Sequence, residues 1–163
     1  MAQRFESRAT LAAPPDEVFA YLDDPAHLAA HMAKPSWSMA GGRMELRLDE
    51  AGGRQAGSRM QLAGRVLGLE LSVDEKVTER TPPYRKAWET VGSPKLLVIG
   101  SYRMGFDVAA HGSGSVLRVF IDYALPETPP GRWLGRLFGR AYARWCTQRM
   151  VNDAVRHFTG GIA

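Results

Sequence analysis

The chain has 163 residues, of which 45% are hydrophobic and 23% charged, and a formal net charge of +4. This is ordinary globular usage, enough for one domain over residues 1–163 with a sizeable core. No apolar run reaches the ~18 residues of a membrane-spanning helix. The single cysteine, Cys146, excludes an internal disulfide and points to a reducing, cytoplasmic setting, and MAQRFESRAT lacks the apolar stretch of a secretory signal.

Residues 3–12 alternate Phe5, Ser7, Ala9 and Leu11 with Arg4, Glu6, Arg8 and Thr10, which predicts a strand with one charged face. Pro14 and Pro15 end it and suit a first helical turn, with Asp16 and Glu17 at the positive end of the helix dipole. Val18, Phe19 and Leu22 give this short helix, over 14–22, its apolar stripe. Asp24 then caps a second helix over 25–32 that carries Leu28 and Met32. From residue 43 the period becomes two. Met44, Leu46 and Leu48 form one strand, Met60 to Val66 the next, and Leu69 to Val77 a third after a tight turn at Gly68. Tyr84 to Val91, Leu97 to Ala110 and Val116 to Leu125 complete the strands.

The last segment opens at PETPPG and runs RWLGRLFGRAYARW with helical period, beginning near Pro130. Leu134, Leu137, Phe138, Ala141 and Trp145 fall on one side, continued by Val151, Val155 and Phe158, and predict the face laid on the sheet. Arg132, Arg136, Arg140 and Arg144 form a separate row on the flank, with no acid between Glu127 and Asp153. Exposed ion pairs or water suit that row. A basic amphipathic helix with Trp and Phe also fits an anionic membrane surface or an acidic partner. A nucleic-acid role is not expected, because no stacking platform accompanies the row and the rest of the chain is near neutral.

Three stretches resemble the START-like, helix-grip (SRPBCC-type) superfamily, which includes polyketide cyclase/dehydrase-like and lipid-transfer proteins. They are RATLAAPPDEVFAYLDDPAHLAAHM, VDEKVTERTPPYRKAWETVG and GSYRMGFDVAAHGSGSVLRVFIDYALP. The family's helix pair often ends in a tryptophan near the pocket mouth, where this chain has His31 and Met32, with Trp37 beyond. The resemblance implies an α+β fold in which a curved antiparallel sheet of about six or seven strands wraps a long C-terminal helix. It also implies a cavity for a small hydrophobic ligand, and it supplies no universal catalytic residues.

Strand phase agrees with such a cavity. Leu71, Val73, Glu75 and Val77 share one phase, as do Tyr84 and Trp88 on the next strand. Tyr102, Met104, Phe106 and Val108 follow, then Leu117, Val119, Ile121 and Tyr123. The candidate ligand-binding residues are Trp88, Tyr102, Met104, Phe106, Tyr123, Trp145 and Gln148. Asn152 lies near Gln148 on the same helix, and either side chain could bind a polar ligand tip or cap sheet groups.

Glu75 is the one candidate acid inside. Buried, its carboxyl needs a partner or a raised pKa, and could act as general acid or base; a bulge near Asp74 would instead turn it to solvent. Besides a protein that docks on a membrane or partner through the Arg132–Arg144 row, two readings of function follow. One is a carrier or sensor of a lipid- or polyketide-like molecule. The other is a cyclase- or dehydratase-like enzyme using Glu75, Tyr102 or Tyr123. His27 and His31 have the spacing to share a metal, but a full ligand set is missing and none is expected. Cys146 reads as a small buried hydrophobe. No phosphate loop, Rossmann fingerprint or serine elbow occurs, so no cofactor is expected.

Overall fold

The computed structural model describes residues 2–33 and 42–160, with the side chains of 31–33 left out. The elements in order are β1 (Gln3–Leu11), α1 (Pro15–Asp23), α2 (Pro25–Ala33), β2 (Arg43–Leu48), β3 (Arg59–Val66), β4 (Leu69–Thr81), β5 (Arg85–Lys95), β6 (Tyr102–His111), β7 (Gly114–Tyr123) and α3 (Pro129–Thr159). The strands form one antiparallel sheet in the order β1-β7-β6-β5-β4-β3-β2. Every neighbour but β1–β7 is also next in sequence, so the sheet is a meander whose last strand returns beside the first. The sheet curves about α3, the helix-grip arrangement that the sequence predicts.

The short helices begin where the local chemistry starts them. Pro15 opens α1 with Asp16 and Glu17 in its first turn. Asp24 caps α2, its Oδ1 accepting from the Ala26 amide at 2.9 Å. Val18, Phe19 and Leu22 enter the core, and the Phe19 ring meets Phe106 at 5.5 Å between centroids.

The expected strand over Leu97–Ala110 begins only at Tyr102. β5 pairs with β6 no further than Glu89↔Arg103, and the chain over 96–101 leaves the sheet. It is tied back at Gly100, whose amide donates to the Ala124 carbonyl at 2.8 Å. This crossing carries Leu96, Leu97, Val98 and Ile99 beneath α3.

The seat of α3 differs from expectation. Leu137 and Phe138 are 54% and 52% exposed, and Trp133 is 63% exposed. Ala141 is exposed too, while Leu134 and Trp145 are half-buried. The buried row is Gly135, Gly139, Ala143, Cys146, Thr147, Met150, Val151 and Ala154. A Cβ on Gly135 would stand 2.8 Å from the Val98 carbonyl oxygen and 3.0 Å from the Leu125 side chain. The first half of the helix thus sits so close to 96–101 and the end of β7 that only glycine fits. Size, not apolarity, selects the inward face there.

An inward polar group was not foreseen. Lys86 lies opposite Phe106 in the same phase as Trp88 and is fully buried. Its Nζ donates to the Asp23 carbonyl and to Asp23 Oδ1, both at 2.9 Å, and Arg80 donates to Oδ2 at 2.8 Å. Burial pushes the Asp23 carboxyl up, but the hydrogen bonds from Arg80 and Lys86 outweigh it and hold it below the ordinary range. The cluster anchors the end of α1 to β4 and β5. Tyr84, placed by phase beside Trp88, instead stands exposed in the turn before β5.

On the outer face, Phe120 is buried under the guanidinium groups of Arg4, Arg85, Arg103 and Arg118, at 4.9 to 5.9 Å from its ring. Glu6, Glu79, Asp107 and Asp122 pair with those arginines.

Candidate functional site

The site grows from β4. Its register against β5 shifts between Ser72 and Asp74, so a bulge does fall beside Asp74. It leaves Glu75 inward, in phase with Val73 and Val77, and only 5% exposed. Two donors reach the carboxyl. The Tyr102 hydroxyl donates to Oε1, and the Trp88 indole N–H donates as well. Tyr102 and Trp88 stand on the adjacent β6 and β5, which is why phase alone brings them together.

Desolvation dominates the electrostatics. Burial pushes the Glu75 carboxyl up to about 7, against the opposing hydrogen bonds from Tyr102 and Trp88. Burial also drives the Tyr102 hydroxyl well above its usual value, assisted by the neighbouring carboxylate. Tyr102 is therefore a donor at neutral pH, and Glu75 sits near the midpoint of its titration.

These three residues form the polar end of an otherwise apolar cavity of about 50 Å³. Met60 and Leu62 of β3, Val73, Met104, Ile121, and Pro25, Leu28 and Ala29 of α2 supply its walls, and Tyr142, Cys146 and Met150 supply its α3 side. Glu75 is the one carboxylate among the lining residues described. Burial raises the Cys146 thiol to about 12, partly offset by a hydrogen bond with Tyr142, so it is a protonated wall residue, not a nucleophile. A second cavity, of about 130 Å³, lies between Met44, Val66, Leu71, Leu97 and Val98 and shares Leu96, Ile99 and Tyr142 with the first.

Of the residues singled out in the sequence, Glu75, Trp88, Tyr102 and Met104 line the first cavity together. The others lie elsewhere. Phe106 is core against Phe19. The Tyr123 hydroxyl donates to Gln3 Oε1 at 2.8 Å, away from the cavity. Trp145 is half-buried beside Tyr142, at 5.7 Å between rings. Gln148 is exposed and, with Asn152, borders a groove against Phe5, Glu6, Ser7 and Arg8 of β1.

A rotation of α3 about its axis accounts for the misplacement. Once Gly135 and Gly139 face inward, the row that follows is Tyr142, Cys146 and Met150, not Trp145 and Gln148. The glycine spacing was the available signal. His27 Nδ1 lies 2.7 Å from the Tyr21 carbonyl, and its ring stacks on Tyr21 at 4.3 Å. Among the described residues, no group of three or more His, Cys, Asp or Glu is placed to hold a metal ion. The side chains of His31 and Met32, and Trp37, lie outside the described residues. No described helix is long and apolar enough to cross a membrane.

The family model described as polyketide cyclase / dehydrase and lipid transport matches residues 2–158. No curated protein sequence matches the chain. Among solved structures, the Zhui aromatase/cyclase from Streptomyces sp. R1128 is similar with a TM-score of 0.75 at 14% identity, over 100% of this chain and 97% of that one. Norcoclaurine synthase from Thalictrum flavum, in complex with dopamine and hydroxybenzaldehyde, gives 0.66 at 13% identity, over 100% and 90%. Ara h 8.0201 gives 0.67 at 13% identity, over 99% and 100%. At these identities the likeness is one of fold.

Proposed function

This chain belongs to the polyketide cyclase / dehydrase and lipid transport family, and from that premise we propose that it binds a small apolar or aromatic molecule between the sheet, α2 and α3. The observation that carries the reading is the apolar cavity with one hydrogen-bonding end, Glu75, Tyr102 and Trp88. Apolar walls supply the burial term, and a few polar atoms fix orientation. A ligand hydroxyl or carbonyl reaching the Glu75–Tyr102 pair finds both a donor and an acceptor, because Glu75 changes protonation near neutral pH.

Neither cavity alone approaches the ~300–1,000 Å³ of ordinary ligand pockets. The two together still fall short of it, so the ligand occupies both and also the space vacated as Leu96, Ile99 and Tyr142, which separate them, rotate aside. Leu96 and Ile99 belong to the crossing at 96–101, outside the sheet ladder, and are the wall with fewest backbone restraints.

A second reading gives Glu75 a proton to move. A carboxyl held near 7 in a dry cavity is matched to general acid–base work at neutral pH, and a cyclase- or dehydratase-like step on a polyketide-type substrate would use it with Tyr102 as orienting donor. Carrier and enzyme share the site and differ in what Glu75 does.

Native mass spectrometry of the purified protein, looking for a co-purified small molecule, tests the binding reading. Met104→Trp fills the cavity from the β6 wall and should abolish that adduct, with a stability loss of ~1–3 kcal/mol from overpacking. An adduct retained at full occupancy in Met104→Trp places the ligand elsewhere and refutes the site. Glu75→Gln keeps the shape and removes the titrating proton. A carrier retains its ligand in that variant, whereas an enzyme retains ligand and loses turnover.

A further inference from the structure

α3 carries its apolar bulk on the wrong side for a helix whose only role is to fill a core. Over residues 132–144 the inward positions are Gly135, Gly139 and Ala143, while Trp133, Leu137 and Phe138 are more than half exposed. Those three account for much of the large apolar surface that the described chain leaves in water. Scattered exposed leucines need no explanation, but Trp133 and Leu137 one turn apart, with Phe138 beside Leu137, form a patch.

The flank of this patch is basic. Arg132, Arg136, Arg140 and Arg144 follow one another at every fourth position, all exposed, and the sequence has no acid between Glu127 and Asp153. The four arginines around Phe120 on the sheet's outer face are each matched to a carboxylate. Among the described residues, Arg136, Arg140 and Arg144 are in no ion pair, and Arg132 reaches only the Glu127 carbonyl.

We propose that the exposed face of α3 formed by Trp133, Leu137 and Phe138, flanked by Arg132, Arg136 and Arg140, docks the protein on an anionic lipid bilayer. The charge pattern selects this occupant. A second copy meeting the same face would set one arginine row against another, and the carboxylates around Phe120 are already paired within the chain. A bilayer surface offers both things the face lacks, anionic headgroups for the arginines and hydrocarbon for the aromatic and aliphatic side chains. The docked face also adjoins the cavity. Tyr142, one turn beyond Phe138, is a wall of both compartments, and Gly135 and Gly139 touch the Val98 carbonyl of the crossing that separates them from solvent. Docking would bring that wall to the lipid, the phase in which an apolar ligand is dissolved. This last link rests on the binding reading above; the docking itself does not.

Co-sedimentation of the full chain with vesicles tests the proposal. Vesicles of equimolar phosphatidylcholine and phosphatidylglycerol should carry the protein down, pure phosphatidylcholine vesicles should not, and added salt should release it. Arg136→Gln with Arg140→Gln should lower the partition coefficient about thirty-fold, from the attraction of two basic side chains near an anionic surface. Trp133→Ser with Phe138→Ser should lower it as much while the four arginines remain. All four positions are exposed, so circular dichroism and melting should match the parent and separate lost docking from lost folding. No binding to the anionic vesicles, equal binding to both vesicle types, or parent-like binding by either double variant overturns the proposal. So does a dimer in sedimentation equilibrium that the Trp133/Phe138 variant dissolves while vesicles capture nothing. Ligand binding lost in Met104→Trp with vesicle capture intact would leave docking standing and refer the failure to the cavity.

Discussion

Glu75→Gln should stabilise the protein above neutral pH and cost it about 1 kcal/mol in acid. The carboxyl ionises at its ordinary value of 4.5 in the unfolded chain and at about 7 in the folded one. Between those values the folded state holds a proton that the unfolded state has released, so stability falls as pH rises. Below pH 4.5 both states are neutral and no penalty applies. Above about 7 the full penalty is present, since the folded protein carries a buried carboxylate that only Tyr102 and Trp88 stabilise. At about 1.4 kcal/mol for each pH unit between the two values, the penalty is about 3 kcal/mol. Glu75 is buried, so little discount for screening applies. Glutamine keeps an acceptor for Tyr102 and removes the charge, at a cost of about 1 kcal/mol for the rearranged hydrogen bonds.

The assay is urea unfolding of parent and variant at a series of pH values spanning this window. The stability difference, variant minus parent, should be about −1 kcal/mol in acid, the hydrogen-bond cost alone, and rise through the window. It should level off near 2 kcal/mol above neutral, the ionic penalty less the hydrogen-bond cost. Differences cancel the titrations of all other groups. A flat difference across the window would mean that Glu75 is not the titrating group, and would remove the basis for its acid–base role. A step of the opposite sign would mean that Tyr102 and Trp88 overcompensate desolvation.

Two further perturbations test the frame around the site. Asp23→Asn leaves Lys86 buried without its counter-charge and should cost ~3–5 kcal/mol in urea unfolding, with α1 loosened against the sheet; because the Asp23 carboxyl is held below its ordinary value, its contribution in the parent is present above the usual carboxylate range and should fade only as pH falls through the lowered value. Gly135→Ala should destabilise by ~1–3 kcal/mol in thermal unfolding even though alanine is the better helix former, since its Cβ would stand 2.8 Å from the Val98 carbonyl, while Gly139→Ala, whose nearest contact is 3.1 Å, should be close to neutral.

Strand alternation and the helix start signals placed the elements, because period and capping are local properties. Glu75, Trp88, Tyr102 and Met104 were legible as one group for the same reason. They stand in phase on strands that are neighbours in sequence and therefore in the sheet. What could not be read depends on contacts between distant elements. Lys86, in phase between Tyr84 and Trp88, was not singled out, since its burial is decided by Asp23, a carboxylate on another element. The bulge at Asp74 was foreseeable, but whether it turns Glu75 out depends on the partner strand. The rotation of α3 was misread because hydrophobic periodicity ranks side chains by apolarity, while the crossing at 96–101 admits them by size.

That rotation ties the cavity to the exposed face. A helix has one circumference to divide between its neighbours. By giving glycine and alanine to the sheet side over 135–143, α3 gains a close approach to the Val98 carbonyl and the end of β7. The close approach holds the first half of the helix against the crossing, and the larger Tyr142 and Met150 follow where the wall falls back into the cavity. The same choice leaves Trp133, Leu137 and Phe138 nowhere to go but outward. In water alone that arrangement forgoes the burial of three large apolar side chains, worth ~1.5–3 kcal/mol each when complete, and it adds two helix-interior glycines at about 1 kcal/mol apiece. Exchanging leucine for glycine across the helix would recover much of this in a protein whose helix served only to cover a sheet, at the expense of the close seat on the crossing. The lipid docking proposed above would recover it without any exchange, and the arginines at its edge, in no ion pair among the described residues, would set which lipid.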